Sequence, residues 1–446
     1  MDIAALIPAF GGLIWTIAAF IVALSIIIAI HEYGHYIVGR WSGIKAEVFS
    51  IGFGPVLASR VDKHGTRWQI AALPFGGYVK FLGDAGAASD KDEAAMAGMS
   101  EDERRASMHG APLWARAATV FAGPAFNFVL SFLVFAVLIM VRGVTADPIT
   151  VANPQTLPNA QVEALLPGDV ILEVDGQTVP PTEEFFEFAS ELDATPVLTY
   201  KVLRDGTERV LDGPWLYPPL VSSVTPDWAA AEAGLQEGDV IVAVDGQDIF
   251  DFDQLREIVG NSEGRTLDLT IWRDGDVSDF SLTPARRDLP LPDGGFETRW
   301  LIGLSGGMAF EPAVTTPSLT EAAGYGVEQI RFIITSSISG LYHMVAGKIS
   351  TCNLSGPIGI AEVSGQAASQ GWFEFIWFIA LLSTAVGLIN LFPIPVLDGG
   401  HLVFYAYEAV AGRPPSDSAL KYLMAGGLTI MLCLMVFAVG NDLICP

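Results

Sequence analysis

Cysteine is nearly absent. Cys352, Cys433 and Cys445 are the only three in 446 residues. The number is odd and the spacing matches no zinc or disulfide framework, which excludes a small cysteine-stapled fold. A Cys352–Cys445 bridge is one arrangement open to an exported chain, with nothing in the sequence to support it. Cys433 lies in an apolar run and is expected to pack as a small apolar residue. Basic residues are scarce as well, 24 Lys/Arg against 50 Asp/Glu, for a net charge of −26. No stripe of Lys and Arg is available for a phosphate backbone, so nucleic acid is not an expected partner. Charge of either sign amounts to 17% of residues, against about 25% in ordinary soluble domains. A wholly soluble chain of ordinary composition is thereby excluded.

Apolar sequence fills the space, with a mean hydropathy of +0.43. It is concentrated near Phe10–Ile30, Leu113–Val141, Trp372–Phe392 and Leu423–Val439. Each stretch approaches or exceeds the roughly 20 residues that cross a hydrocarbon core. The first is not expected to be a cleaved signal peptide. Residues 1–12 carry one charge, Asp2, and no basic lead-in. A fifth stretch, Gly326–Gly347, is interrupted by Glu328, Arg331 and His343. It reads as an amphipathic helix on a membrane surface.

The charges sort by region. From Thr145 to Glu311 there are nine Lys/Arg and 31 Asp/Glu, a net of −22, in a block that looks soluble. From Tyr36 to Arg116 there are ten Lys/Arg and nine Asp/Glu. Positive residues favour the cytoplasmic side, so the first loop is expected inside and the acidic block outside. Arg413 and Lys421 after the third run agree with this.

The acidic block repeats itself. Leu165-Leu166-Pro167-Gly168-Asp169-Val170-Ile171 returns as Leu235-Gln236-Glu237-Gly238-Asp239-Val240-Ile241, and Arg204-Asp205-Gly206 returns as Arg273-Asp274-Gly275. Each unit reads turn, strand, Asp-Gly turn, helix, strand, Asp-Gly hairpin. Ala229–Leu235 gives the second unit a small-residue lead-in that the first lacks. Upstream, Gly52-Phe53-Gly54-Pro55 and Leu73-Pro74-Phe75-Gly76-Gly77-Tyr78 predict a small sheet of short strands dipping into the bilayer edge. Residues 83–110 read as a flexible cytoplasmic loop with a short helix at Ser100–Ala106.

The chemistry is carried by His31-Glu32-Tyr33-Gly34-His35 and by Asn390-Leu391-Phe392-Pro393-Ile394-Pro395-Val396-Leu397-Asp398-Gly399-Gly400-His401. His31 and His35 are four apart, so on a helix their imidazoles share a face. A polar helix end would explain the residues equally in a soluble protein. Here they end an apolar span, where two imidazoles and a carboxylate need partners. Zinc in a catalytic site takes three protein ligands and keeps one position open. Asp398 is the expected third ligand, since Pro393, Pro395, Gly399 and Gly400 break the helix and free its backbone to line a polar cavity. The plainer reading of Asp398 is a helix cap. Glu32 can reach the open position as general base and acid. His401 reads as a group behind a carboxylate or as a membrane-interface residue.

These motifs, with Gly123-Pro124-Ala125-Phe126-Asn127 and Leu354-Ser355-Gly356-Pro357-Ile358-Gly359, resemble the site-2 protease family of intramembrane zinc metalloproteases, in its RseP-type bacterial branch. The repeat resembles tandem PDZ domains of the circularly permuted kind. The resemblance implies a polytopic α-helical membrane protein with four transmembrane helices, a small membrane-associated β-sheet and two extracytoplasmic PDZ (α+β) domains. It implies Zn2+ on His31, His35 and Asp398, Glu32 as the catalytic carboxylate, and substrate binding by Asn390 and the strands around Gly52, Gly54, Gly76 and Gly77. The partners are transmembrane peptide substrates, membrane lipid and a C-terminal peptide at the second PDZ unit, where Trp300–Leu304 forms the carboxylate loop.

The expected division is 1–35 first span with the zinc motif, 36–111 cytoplasmic loop and sheet, 112–143 second span, 144–215 first PDZ, and 216–312 second PDZ. Residues 313–370 are surface helices, 371–401 the third span with the third ligand, and 402–446 a cytoplasmic loop and fourth span. The expected setting is the bacterial cytoplasmic (inner) membrane, with the PDZ units periplasmic and the catalytic face toward the cytoplasm. The expected substrates are anti-sigma factors, remnant signal peptides, or both. The alternative is a membrane-anchored PDZ scaffold with an inactive zinc motif. A metal transporter fits less well, because no repeated membrane halves appear.

Overall fold

The computed structural model describes residues 3–86, 96–158, 165–226, 228–291 and 295–445. Two compact units emerge, Met1–Leu138 with Leu319–Pro446, and Ile139–Ser318.

The first unit is mainly helical. Its long elements are α1 (Ile3–Trp41), α2 (Leu113–Arg142), α3 (Leu319–Val345), α4 (Pro357–Gln370), α5 (Trp372–Asn390), α6 (Asp398–Ala411) and α7 (Asp417–Ile444). Four of them, α1 over Gly12–Trp41, α2, α5 and α7, are long and apolar enough to cross a membrane. On α7, Leu428, Ile430, Leu432 and Phe437 are each 45–53% exposed. A helix apolar all round is stable only where hydrocarbon surrounds it. The sequence places α3 and α4 where it expects surface helices, and neither is among the four candidate spans.

Two boundaries differ from expectation. The helix carrying His31 does not end there but continues to Trp41. Gly34 and Gly39 would ordinarily weaken it here, yet both are needed for packing. A Cβ at Gly34 would stand 2.4 Å from the Ala122 carbonyl oxygen, and one at Gly39 would stand 2.7 Å from the Phe81 ring. The expected loop after His401 is instead the body of α6, which closes at Gly412 in the left-handed conformation.

The sheet consists of β1 (Ala46–Val61) and β2 (Arg67–Phe81), both sharply bent. Gly52 and Gly54 take positive φ, which allows β1 to turn. Val48–Ile51 thereby lie between Gly77–Lys80 on one side and Arg67–Ile70 on the other, while Ala58–Val61 pair with Ile70–Arg67 beyond. Four short runs thus come from two strands, with Gly77–Phe81 at one edge. Tyr36, Phe49, Trp68, Val79 and Phe81 pack this sheet onto the end of α1. Its far rim exposes Phe53, Val56, Leu57, Val61, Ile70 and Leu73. Part of the expected cytoplasmic loop, residues 87–95, lies outside the described residues. The short helix within it is present at Glu101–Arg105, with Ser100 and Glu103 forming a capping box.

The second unit contains the repeat. The first copy orders its strands Gln177–Thr178, Val170–Val174, Val197–Arg204, Thr207–Pro214. The second orders Gln247–Asp248, Val240–Val244, Leu267–Arg273, Asp276–Leu282 in the same way. All four Asp-Gly turns take positive φ at both residues, as hairpin turns of that sequence require. Asp169 accepts two hydrogen bonds from Arg204, and Asp239 two from Arg273. The lead-in of the first copy falls at residues 159–164, outside the described ones. Past the second copy, Phe310–Pro312 pairs with Val151–Pro154, and Phe310 fills the core of the first copy. Residues 221–306 are therefore nested within the first copy rather than following it.

Candidate metal centre

The His31 and His35 side chains emerge one turn apart from α1. Asp398 is the first residue of α6. It reaches them because Pro393 and Pro395 interrupt the helix and Gly399 and Gly400 let the loop fold back. A Cβ at Gly399 would lie 2.3 Å from the carbonyl oxygens of Leu391 and Phe392.

The three ligand-type atoms converge. His31 Nε2 lies 3.1 Å from Asp398 Oδ2, His35 Nε2 lies 3.5 Å from it, and the two Nε2 atoms are 3.2 Å apart. Ligands about 2.0–2.2 Å from a tetrahedral zinc would sit roughly 3.3 Å from one another. Asp398 Oδ2 is buried and makes no hydrogen bond. A cation among the three atoms supplies what each lacks, so the donor set fits zinc.

The surroundings fix the imidazoles. His35 Nδ1 donates to the Thr119 carbonyl oxygen at 2.8 Å, leaving Nε2 as the metal-facing lone pair. Pro124 sits inside α2 and has no amide hydrogen, so the Val120 carbonyl beside Thr119 lacks its helical donor. The Asn127 amide lies 3.2 Å from His31 Nδ1, and its buried Oδ1 has no partner as placed. Turning the amide over lets Oδ1 accept from His31 Nδ1–H and presents that Nε2 in the same way. Gly123 is where both rings meet α2. A Cβ there would stand 2.3 Å from His35 Nε2 and 2.9 Å from His31 Cε1.

Glu32, His31, His35, Gly77, Asn390, Asp398 and His401 line one cavity of about 800 Å³. Asn390 ends α5, and its Nδ2 donates to the Val386 carbonyl oxygen at 3.0 Å. A Cβ on Gly77 would stand 3.1 Å from Glu32 Cγ. Gly52, Gly54 and Gly76, all at positive φ, are not among the residues lining the cavity. The Thr119 carbonyl and Gly123 were not among the expected site residues. A backbone oxygen leaves no letter in a sequence, whereas a Gly-Pro pair inside an apolar run is a visible irregularity.

The chain matches the model of peptidase family M50 over residues 19–434. A protein of Agrobacterium fabrum provisionally named a zinc metalloprotease is 36% identical over 443 residues, covering 98% of each chain. The regulator of sigma-E protease RseP of Salmonella typhimurium is 32% identical over 468 residues, covering 97% of this chain and 99% of its own.

Proposed function

The chain belongs to peptidase family M50, the zinc metalloproteases of the site-2 type, and on that premise we propose that it hydrolyses peptide bonds within the transmembrane segments of single-span substrates. The observation that carries this is the convergence of His31, His35 and Asp398 beside Glu32 on a helix apolar enough to span a membrane. Anti-sigma factors and remnant signal peptides are the substrate classes. The sigma-E name of the Salmonella relative favours the first.

His31, His35 and Asp398 would hold zinc, which when bound would act as a Lewis acid and lower the pKa of water. Glu32 accepts the proton of the attacking water and returns it to the leaving amine. The Asn390 amide donates to the substrate backbone where negative charge develops. A helical substrate hides its carbonyls in i to i−4 bonds and has to unwind first. The Gly77–Phe81 edge of the sheet borders the cavity and offers strand addition to the unwound peptide. The exposed apolar rim of the sheet suits it to the bilayer edge.

The nested copies in Ile139–Ser318 are read as PDZ domains outside the cytoplasm, in a protein of the bacterial inner membrane whose catalytic face is cytoplasmic. The Cys352–Cys445 disulfide supports an oxidising compartment for those two residues. The two spans between them return the chain to the same side. The PDZ pair holds bulky outer domains of uncut precursors away from the site, and the Trp300–Leu304 segment receives a C-terminal peptide.

The test is zinc content and cleavage of a model transmembrane peptide, measured together on the full-length protein. Wild type should hold zinc and cleave, Glu32→Gln should hold zinc and cleave at least about a hundredfold more slowly, and Asp398→Ala should do neither. Cleavage undiminished in both variants would overturn the reading.

A further inference from the structure

On the same cavity wall as the metal centre lies an ion pair between residues 292 apart in sequence. Arg116 Nη1 donates to Glu408 Oε2 at 3.0 Å and Nη2 donates to Oε1 at 2.6 Å. The guanidinium is further fixed by donation from Nε to the Ala111 carbonyl oxygen at 3.1 Å, and it stands 5.2 Å from the centroid of the Tyr405 ring. Both side chains are less than 20% exposed.

The two helices so joined each carry part of the metal centre. Arg116 precedes Thr119 by one turn of α2, and the Thr119 carbonyl holds His35. Glu408 is ten residues from Asp398 on α6, about 15 Å along the axis. The start of α6 is seated by Gly399 and Gly400 against the loop from Leu391 to Pro395. Farther along, Leu402 and Tyr405 pack on the core beneath the sheet, and this pair is the polar contact that ties the far half of α6 directly to α2. A partly buried ion pair contributes little net stability, because desolvation offsets attraction, but a two-pronged guanidinium–carboxylate contact fixes geometry.

We propose that Arg116 and Glu408 are positioning residues whose clamp between α2 and α6 sets where Asp398 meets the two imidazoles. Without it α6 pivots on its glycine end, and the third ligand drifts relative to the histidines. The pair acts through helix placement and touches neither metal nor substrate. The inference rests on the ligand set proposed above.

The experiment uses the zinc-loaded full-length protein and follows zinc transfer to a chromogenic chelator, with thermal unfolding recorded alongside. Arg116→Gln and Glu408→Gln should each release zinc about tenfold faster, the scale on which supporting groups tune metal affinity. Removing one partner of so enclosed a pair also lowers the unfolding temperature, so release is read far below unfolding in every variant and compared with that shift. The exchange Arg116→Glu with Glu408→Arg should bring release back toward wild type. Arg116→Lys, which keeps charge but loses the fork, should fall between. Wild-type release in the single variants overturns the proposal. So does faster release that merely tracks a lowered unfolding temperature, or an exchange variant that folds without recovery. If the exchange variant does not fold, Arg116→Lys decides, and release at the wild-type rate there counts against the clamp. Asp398→Ala run in parallel separates the cases, since unchanged zinc in that variant refutes the ligand set itself.

Discussion

His35 donates from Nδ1 to the carbonyl oxygen of Thr119 at 2.8 Å. A carbonyl only accepts, so the proton sits on Nδ1 and Nε2 is left bare toward Asp398. The tautomer that a metal requires is thus set by the backbone of a neighbouring helix, and the packing of α1 on α2 becomes part of the metal chemistry.

That dependence can be probed at Gly123. Alanine is the better helix former by about 1 kcal/mol, but its Cβ would stand 2.3 Å from His35 Nε2. Gly123→Ala should therefore lose zinc affinity by tenfold or more while the helical circular-dichroism signal holds. Elemental analysis after dialysis measures it, and full zinc occupancy would show that the rings have room.

Glu32→Gln removes proton transfer and leaves the three ligand side chains in place. Positioned general acids and bases typically contribute roughly 10²- to 10⁴-fold, and cleavage of a transmembrane peptide should fall within that range with zinc retained. Loss of the metal would instead make Glu32 a structural support of the site.

Asp62 gives the hairpin turn an acid limit. Burial by itself raises its carboxyl pKa. Hydrogen bonds from Trp68 Nε1, the amides of His64 and Thr66, and the Tyr36 hydroxyl outweigh that and hold it at about 2, below the ordinary 3.8. A folded-state value below the unfolded one stabilises above the unfolded pKa and ceases to as protons bind. Amide exchange across residues 62–67 should be slow and steady in opening free energy above pH 4, and local opening should grow as pH falls from 4 to 2. Asp62→Asn should open more readily throughout and lose the pH dependence.

The filter role of the outer unit is testable by excision. Val144–Thr145 pairs with Val314–Thr315, so removing residues 146–313 leaves a closed stem between α2 and α3. The shortened protein should cleave a substrate whose outer domain is still attached, which the intact protein spares. If the intact and shortened proteins spare it equally, the unit does not filter.

Cys352 and Cys445 are bonded and proposed to lie outside the cytoplasm. In intact cells a membrane-impermeant maleimide should label neither until an impermeant reductant is added, and then both. Labelling only after lysis would place them inside.

The cluster of His31, His35 and Asp398 was legible where one period or one break governs it. His31 and His35 share a face by helical spacing alone, and Asp398 stands out because the prolines and glycines around it forbid a continuous helix. The Asp-Gly turns of the repeat were legible for a comparable reason, since that dipeptide meets a backbone demand that few others do. What escaped depends on distant partners. Nothing near Tyr36 announces that α1 runs on to Trp41, because the cause is room beside Ala122 and Phe81. The return of Phe310 to the first copy is decided by which core has space for a ring. The Arg116–Glu408 pair joins two ordinary charges. The Cys352–Cys445 bridge was an arrangement the sequence left open without support, and only proximity selects it.

That bridge spans 93 residues of sequence, and Asp398 lies within the span while His31 and His35 lie outside it. Topologically the molecule is a covalent lariat, with one member of the His31–His35–Asp398 cluster on the noose and two on the tail. A single cut at a protease site inserted in the exposed 411–414 segment between α6 and α7 would open the noose without parting the fragments. On a denaturing gel the nicked chain would migrate as a single species until thiol is added, and would then resolve into two.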